Sequence, residues 1–234
     1  MLMKAKKTLR RLGYDVVRYH PQYEALLKRY NISTVIDIGA NSGGFAIDIH
    51  ERLPEAAIYS FEPLKGPYGA LAEHFKDVPT FKAYNVALGD SAGQTVMKRS
   101  SFTPSSSILE MAPLHKALYP RSSGSEDETV TIERLDDALG GIDLKKNILV
   151  KIDVQGFEDK VILGGKNVIS QACMLVVEAS FAELYKGQPL FGDIHELLHG
   201  LGFAYHGSRE RHWNNATNEP IYEDSIYLKS AGGA

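Results

Sequence analysis

The chain lacks several features that mark specialised classes of protein. A single cysteine among 234 residues excludes an internal disulfide framework. No stretch approaches the roughly 20 consecutive apolar residues that span a bilayer, and no apolar signal core follows the N-terminus. The net charge of −3 provides no general attraction to nucleic acid. We therefore expect a cytoplasmic protein without nucleic-acid partners.

What is present is typical of a globular domain preceded by a basic segment. Apolar residues make up 44% of the chain and charged residues 24%, and the length supports a core with a buried sheet. The first 20 residues carry Lys4, Lys6, Lys7, Arg10, Arg11 and Arg18, with Asp15 as the only acid. Apolar residues at helical spacing lie between them. We expect residues 1–30 to form a basic helical segment that packs on the domain, on a second subunit of a homodimer, or on an anionic membrane surface or acidic substrate.

Short apolar strands alternate with helical patterns over residues 31–234. Seven strands are predicted near Thr34–Ile38, Ala57–Phe61, Phe81–Leu88, Ile148–Ile152, Met174–Val177, Phe203–His206 and Ser225–Leu228. Such alternation implies right-handed crossover connections and a sheet covered by helices. We therefore predict a Rossmann-like α/β fold with a mostly parallel seven-stranded sheet and helices on both faces. Ligands of such a fold bind at the carboxyl ends of the strands.

One long segment interrupts the alternation. From Lys98 to Glu128 the chain is rich in Ser, Thr and Pro, and only a short helix from Leu109 to Leu118 is predicted within it. An irregular insertion of this length is usually a functional lid or a disordered stretch. We predict a lid or flap that binds the substrate.

A glycine-rich turn after the first strand indicates a ligand site. The segment Val35–Gly44 runs from strand through turn to helix, with Asp37 two residues before the first of three glycines, Gly39, Gly43 and Gly44. Small residues let a ligand approach the backbone, and the helix presents free amides. The spacing is not the Gly-x-Gly-x-x-Gly of a dinucleotide site. A carboxylate here suits a ligand with an ammonium group, such as the methionine part of S-adenosylmethionine.

Glu62 ends the second predicted strand. An acid at this place accepts hydrogen bonds from both hydroxyls of a ribose. The strand, the glycine turn and the terminal acid, taken in this order, therefore predict an adenosyl cofactor.

Further motifs give the chain a specific resemblance. They are Ile36-Asp-Ile-Gly-Ala-Asn41, Phe61-Glu-Pro63, Asn85-Val-Ala-Leu-Gly-Asp90, Ser106-Ser107, Val130-Thr-Ile-Glu-Arg-Leu-Asp136 and Lys151-Ile-Asp-Val-Gln-Gly-Phe-Glu158. In this order, over roughly residues 10 to 205, they resemble the FkbM family of methyltransferases. The segment Leu12–Arg18 is similar to the lead-in of bacterial members that act on glycans. One departure is Gln155, where the family usually has Glu.

The resemblance implies a class I methyltransferase domain at residues 31–234, with S-adenosylmethionine as the cofactor. It implies methyl transfer to a hydroxyl of a sugar, a glycan or a glycolipid precursor, with a secondary metabolite as the alternative acceptor. A non-catalytic protein that binds the same cofactor is the alternative to an enzyme, and Gln155 is its only support. The cofactor-binding residues expected on this basis are Asp37, Gly39, Asn41, Gly43, Glu62, Pro63 and Asn85.

Methyl transfer to an alcohol needs alignment and a group that draws off the proton. Lys151 and Asp153 leave the same face of the fourth predicted strand, and Glu178 ends the fifth. We predict that Asp153 is the base or orients the acceptor. Lys151 would tune its charge or hold the acceptor, and Glu178 would help to position the acceptor. The alternative is a buried ion pair among these three that serves structure alone.

Other polar residues are weaker candidates. Ser106, Ser107 and His115 of the insertion are predicted to bind substrate, as is His206, which is also an alternative base at the end of the sixth strand. Asp153 and Glu178 alone do not make a complete site for a divalent cation, and no metal ligands are predicted.

A zinc-protease pattern is also present, in His195-Glu-Leu-Leu-His199. The same segment carries the apolar stripe of an ordinary amphipathic helix, formed by Ile194, Leu197, Leu198 and Leu201. We favour the helix without zinc.

Overall fold

The computed structural model describes residues 22–230, which contain two β-sheets. The helices are α1 (Gln22–Arg29), α2 (Gly44–Arg52), α3 (Lys65–His74), α4 (Pro113–Leu118), α5 (Leu135–Ala138), α6 (Glu158–Gly164), α7 (Lys166–Ser170) and α8 (Phe191–Gly200). The strands are β1 (Thr34–Ile38), β2 (Ala57–Phe61), β3 (Phe81–Tyr84), β4 (Ala87–Leu88), β5 (Gly93–Ser100), β6 (Ser125–Glu133), β7 (Ile148–Ile152), β8 (Met174–Ser180), β9 (Phe203–Asn214) and β10 (Glu219–Lys229).

The larger sheet has seven strands in the order β3-β2-β1-β7-β8-β10-β9. Parallel pairing runs from β3 to β8, and β10 pairs antiparallel with both of its neighbours. The Rossmann-like fold predicted from the sequence, with its mostly parallel seven-stranded sheet, is confirmed.

Two faces of this sheet are covered because side chains alternate along each strand. Val35 and Leu149 belong to one buried cluster with residues of α1, α2 and α3. Ile36 and Val150 belong to the opposite cluster with residues of α6, α7 and α8. Burying each such aliphatic side chain contributes roughly 1.5–3 kcal/mol. The strands thus stay at fixed register, and their carboxyl ends present one ordered edge.

The third predicted strand divides in two. Phe81–Tyr84 joins the large sheet, whereas Ala87–Leu88 pairs with β6 in a three-stranded sheet of order β4-β6-β5. Asn85 lies at the break, and its side-chain amide donates to the carbonyls of Glu62 and Pro63. The apolar run is therefore shared between two sheets, which a single-strand prediction misses.

The insertion is more regular than the sequence suggested. Its two ends belong to β5 and β6, which pair antiparallel from Gly93↔Ile132 to Ser100↔Ser125. Between them lie two short 3-10 turns, Thr103–Ser105 and Pro120–Ser122, and helix α4. The expected irregular stretch thus shrinks to residues 101–124.

The last two strands are longer than predicted and place one candidate differently. His206 was expected at the end of the sixth strand, but β9 continues to Asn214 and His206 lies exposed within it. Of the basic helical segment predicted over residues 1–30, the structure describes residues 22–30, which contain α1 (Gln22–Arg29). The basic cluster of the first 20 residues falls outside the described part of the chain. Within residues 22–230, no helix is long and apolar enough to cross a membrane.

Candidate active site

A row of polar side chains crosses the carboxyl edge of the large sheet. Asp37 on β1 pairs in register with Ser60 on β2 and with Lys151 on β7. Glu178 on β8 pairs in register with Asp224 on β10. These positions follow the same alternation, so the side chains leave the same face of the sheet.

Lys151 is the buried cation of this row. Its Nζ lies 3.5 Å from Asp37 Oδ1 and 3.4 Å from Asp153 Oδ2, and it donates a 2.9 Å hydrogen bond to the carbonyl of Gly39. Burial works to lower the pKa of Lys151, but the charges of Asp153 and Asp37 outweigh it and raise that pKa above its usual value. Lys151 therefore stays charged and ties the glycine turn to the end of β7.

This ion pair changes the interpretation of Asp37. Its side chain is completely buried, and burial raises its pKa. The ammonium group that faces Asp37 is that of Lys151, so the expected direct contact between Asp37 and a ligand's ammonium group finds no support. Lys151 lines neither of the cavities described below, and its contact with Asp153 is the one that bears on its predicted roles.

A first cavity, here called the strand-end cavity, opens where β1, β2 and β7 end. Its walls are mostly apolar, with polar groups at a few points. The lining comes from the strand ends and from the insertion: Ile38, Gly39, Asn41, Phe61, Glu62, Pro63, Leu64, Val86, Ala87, Leu88, Met97, Thr103, Pro104, Ser106, Ile108, Asp153, Val154, Gln155 and Phe157. Such a cleft with few polar groups is typical of a small-molecule site.

Glu62 is the acid of the strand-end cavity. Its Oε2 accepts the backbone N–H of Asn41 and its Oε1 that of Leu64, both at 2.8 Å. Burial nonetheless raises the pKa of Glu62 to about 7. Each carboxylate oxygen keeps a second acceptor position, so Glu62 can receive two hydroxyl groups of a ligand.

The glycine turn is built for close approach. Gly39 has φ +77°, and a Cβ at this position would lie 1.8 Å from the carbonyl oxygen of Asp153. Only glycine lets the turn after β1 touch the loop after β7 in this way. Gly43 also has a left-handed φ of +99° and packs against Leu71 rather than lining the cavity.

A second cavity, here called the insertion cavity, lies under residues 101–124 and has a volume of about 520 Å³. Most of its lining belongs to the insertion, and the rest to β8, β10 and the loops after β7 and β8. The lining residues are Phe102, Ser105, His115, Leu118, Tyr119, Pro120, Arg121, Ser122, Gln155, Glu178, Leu184 and Tyr222. Aromatic walls here surround a few convergent polar groups.

Gln155 belongs to the lining of both cavities. Its Nε2 donates to Asp153 Oδ1 and to Glu178 Oε2, both at 2.8 Å, and its Oε1 accepts from the Tyr185 hydroxyl at 2.7 Å. Asp153 lines the strand-end cavity, while Glu178 lines the insertion cavity. One amide thus links a carboxylate of each cavity.

The electrostatics of the two carboxylates differ. Burial, and then the charges of Asp153, Glu158 and Asp224, raise the pKa of Glu178 well above its usual value. Asp153 instead faces the ammonium group of Lys151 directly. The two carboxylates bound by one amide therefore have different charged neighbours.

Predicted residues of the insertion do meet the site. Ser106 lines the strand-end cavity, and Ser107 Oγ donates to the Gln155 carbonyl at 2.6 Å. His115 is buried, lines the insertion cavity, and lies 3.3 Å from the Tyr185 hydroxyl. His206 lines neither cavity. Because His206 lies exposed within β9 and not at a strand end beside a cavity, its predicted roles as a substrate-binding residue or base find no support.

Three functional candidates carry little sequence signal. Tyr185 and Tyr222 follow no motif. Only the folded chain brings Tyr185 to Gln155 and Tyr222 to the lining of the insertion cavity. Glu158 ends a motif quoted above, and its Oε1 accepts the N–H groups of Val154 and Gly156. It thereby shapes the loop that carries Gln155, whose own φ of +59° is a left-handed conformation.

The zinc pattern forms part of an ordinary helix. In α8, Ile194 and Leu198 are buried, as the apolar stripe predicted, while His199 is exposed. Among residues 22–230, no group of three or more His, Cys, Asp or Glu side chains is arranged to hold a metal ion.

The fold and the strand-end cavity together define a Rossmann-like α/β protein with a small-molecule cavity at the carboxyl ends of its parallel strands. Residues 37–205 match the family model of the methyltransferase FkbM domain. The chain belongs to this family of S-adenosylmethionine-dependent methyltransferases, and S-adenosylmethionine is its cofactor.

Several curated proteins are similar over most of their length. The 2-O-methyltransferase NoeI of Sinorhizobium fredii is 28% identical over 193 residues, which cover 78% of this chain and 77% of NoeI. The 31-O-demethyl-FK506 methyltransferase FkbM of Streptomyces tacrolimicus is 26% identical, covering 73% of this chain and 72% of that protein. Among solved structures, a putative rRNA methylase from Clostridium thermocellum is 10% identical, with a TM-score of 0.49 and coverage of 94% of this chain and all of that one.

Proposed function

We propose that the protein is an O-methyltransferase that acts on a hydroxyl of a sugar, a glycan or a glycolipid precursor. The observation that carries the proposal is the pair of cavities that share Gln155, whose amide binds a carboxylate in the lining of each. A cofactor and an acceptor bound in these cavities would meet at this residue.

The strand-end cavity suits the cofactor. Glu62 would accept hydrogen bonds from the ribose hydroxyls. The backbone of Gly39 and Asn41 would lie against the ligand, and Phe61 and Phe157 would contribute apolar walls for its adenine ring. The bound cofactor supplies an activated methyl group on a sulfonium. The carboxylate of Asp153, on the same cavity wall, favours a positively charged group there.

Glu178 is our choice of base, in place of Asp153. It lines the cavity that would hold the acceptor, where its carboxylate can meet an acceptor hydroxyl, and burial raises its pKa. Asp153 instead lines the other cavity and faces the ammonium group of Lys151. In the transfer, Glu178 would accept the proton of the acceptor hydroxyl, while the bound cofactor would supply the methyl group and leave as S-adenosylhomocysteine. Alignment of the two substrates supplies much of the remaining acceleration.

The lining of the insertion cavity supports a polyhydroxylated acceptor. Phe102, Tyr119 and Tyr222 offer flat apolar faces, while Arg121, Ser122 and His115 provide polar groups at several points. A sugar ring has both apolar faces and hydroxyl edges that such a cavity can meet. The similarity to the 2-O-methyltransferase NoeI agrees with this choice.

Two alternatives each have one supporting observation. Leu118 and Leu184 add aliphatic surface to the insertion cavity, which favours a secondary metabolite, as does the similarity to FkbM, named for methylation of demethyl-FK506. A non-catalytic protein is favoured only by Gln155, whose amide occupies both carboxylates. Turnover separates this last alternative from the enzyme.

The direct test is a transfer assay with radiolabelled S-adenosylmethionine. Panels of free, nucleotide-linked and lipid-linked saccharides would be compared with a panel of macrolide alcohols. We expect labelled product and S-adenosylhomocysteine from at least one saccharide class, and none with Glu178→Gln. Labelling of macrolides alone would favour the secondary-metabolite alternative, and cofactor binding without transfer to any acceptor would favour the non-catalytic one.

A further inference from the structure

Gln155 is held more firmly than a surface side chain at a cavity wall. Tyr185 donates to its Oε1, its Nε2 donates to two carboxylates, and the Ser107 hydroxyl donates to its main-chain carbonyl. Next to it, Gly156 has φ +96°, and a Cβ there would lie 3.0 Å from Gln188. Three parts of the chain therefore fix where the amide sits.

The chemistry of the neighbours fixes which end of the amide faces them. Carboxylate oxygens of Asp153 and Glu178 accept from the NH2 end, and the hydroxyl of Tyr185 donates to the remaining oxygen. Both N–H groups of Nε2 are then used on carboxylate oxygens. One oxygen of each carboxylate is therefore directed at the amide nitrogen.

The two distances at Nε2 match the spacing between neighbouring ligands of a metal ion. Octahedral Mg²⁺ holds oxygens at about 2.0–2.1 Å, so neighbouring ligands lie roughly 3 Å apart. Asp153 Oδ1 and Glu178 Oε2 each lie 2.8 Å from the Gln155 nitrogen. A carboxylate oxygen in place of that nitrogen would lie at ligand spacing from one oxygen of each neighbouring carboxylate.

We propose that Gln155 is a positioning residue whose amide takes the place of a divalent cation, holding Asp153 and Glu178 together across the boundary of the two cavities. Its neutral donor keeps two carboxylates adjacent without a metal. The proposal rests on the proposed function only for what the two carboxylates do in catalysis. The binding of both carboxylates by the Gln155 amide does not depend on the proposed function.

Titration with Mn²⁺, followed by the loss of the free-ion electron paramagnetic resonance signal, tests the proposal. We expect wild-type protein to show no site tighter than millimolar. Gln155→Glu should gain one site per chain with at least tenfold tighter affinity, because three carboxylates converge there. Gln155→Met, which removes the amide without adding charge, should lie between the two.

Two control variants make the gain specific. Gln171→Glu adds the same charge at an exposed position and should bind no better than wild type. Gln155→Glu combined with Glu178→Gln should lose the gained site. If Gln155→Glu does not fold, as judged by its thermal melt, Gln155→Met carries the same comparison.

The outcomes separate this proposal from the proposed function. Tight Mn²⁺ binding by wild-type protein, or no gain in any folded Gln155 variant, would overturn the role of the amide. A parallel calorimetric titration with S-adenosylhomocysteine tests the cofactor site of the same samples. Failure of that binding in wild type would reject the proposed function and leave the Mn²⁺ result to be judged by itself.

Discussion

The strand-end cavity and the insertion cavity share one residue but are assembled in different ways. The first is made mainly where consecutive strands end, with backbone groups and Glu62 held by local turns. The second needs a long insertion to fold against β8 and β10, far away in sequence. The comparison teaches that the proposed cofactor cavity depends mainly on the strand ends of the general fold, whereas the proposed acceptor cavity depends on non-local contacts of the insertion.

The largest effect should come from the acceptor side. Glu178→Gln keeps the shape and an acceptor for the Gln155 amide but removes the base, so methyl transfer should fall by roughly 100- to 10,000-fold. Transfer rates at saturating cofactor, with S-adenosylhomocysteine affinity measured by calorimetry, would check this. Glu196→Gln, an exposed change on α8, is the control.

The variant Asp153→Asn tests which of the two carboxylates bound by Gln155 is the base. If the base lies in the insertion cavity, this variant should retain more transfer activity than Glu178→Gln, because the introduced asparagine can still accept the amide hydrogen bond through its side-chain oxygen. A greater loss in Asp153→Asn than in Glu178→Gln would return the base to Asp153.

Removing the charge of Lys151 should lower the free energy of unfolding. Lys151→Met leaves Asp37 buried without its partner, and we expect a loss of about 3–5 kcal/mol in the free energy of unfolding. Denaturant titration measures it. Lys160→Met removes a surface lysine paired with Asp90 and should cost less than about 1 kcal/mol.

A double variant tests the cause of that loss. Lys151→Met with Asp37→Asn removes both charges, and we expect it to recover part of the stability lost in Lys151→Met alone. Equal stability of the single and double variants would mean that the ion pair contributes little.

The cofactor side has its own pH signature. Ribose hydroxyls donate best to an ionised Glu62, whose pKa is about 7 in the free protein. Affinity for S-adenosylhomocysteine should therefore rise about tenfold from pH 6 to pH 8.

Glu62→Gln should bind roughly 10- to 100-fold more weakly at pH 8 and show little pH dependence over this range. Calorimetry measures both, with exposed Glu73→Gln as the control. A flat wild-type profile would remove Glu62 from the site.

The smallest effect concerns the rim of the insertion cavity. Phe102 is 57% exposed and lines this cavity, so Phe102→Ala should raise the KM for the acceptor several-fold through lost apolar contact. Steady-state kinetics with the acceptor varied would show it, with the affinity for S-adenosylhomocysteine unchanged. An equal loss of cofactor affinity would mean that the two cavities are not separate sites.

The same contrast explains what the sequence could predict. Strands β1, β2 and β7 matched their predicted bounds because their apolar runs end in turns that local chemistry defines. Glu62 was found because an acid at a strand end has few other purposes. Local signals of this kind act within one β-α-β unit.

Non-local contacts were beyond the same reasoning. The role of Tyr185 depends on a hydrogen bond to a residue 30 positions away, and Asp37 found its ammonium partner on a strand more than 100 residues later. The exposure of His206 followed from a strand that ran further than its apolar pattern. Periodicity carries no information on such pairings.

A crystal structure of the protein with S-adenosylhomocysteine tests the central claim most directly. We predict the ligand in the strand-end cavity, with its ribose on Glu62 and its sulfur at the end next to Gln155, facing the insertion cavity. Density for the ligand elsewhere, or a sulfur atom that points away from the insertion cavity, would contradict the account.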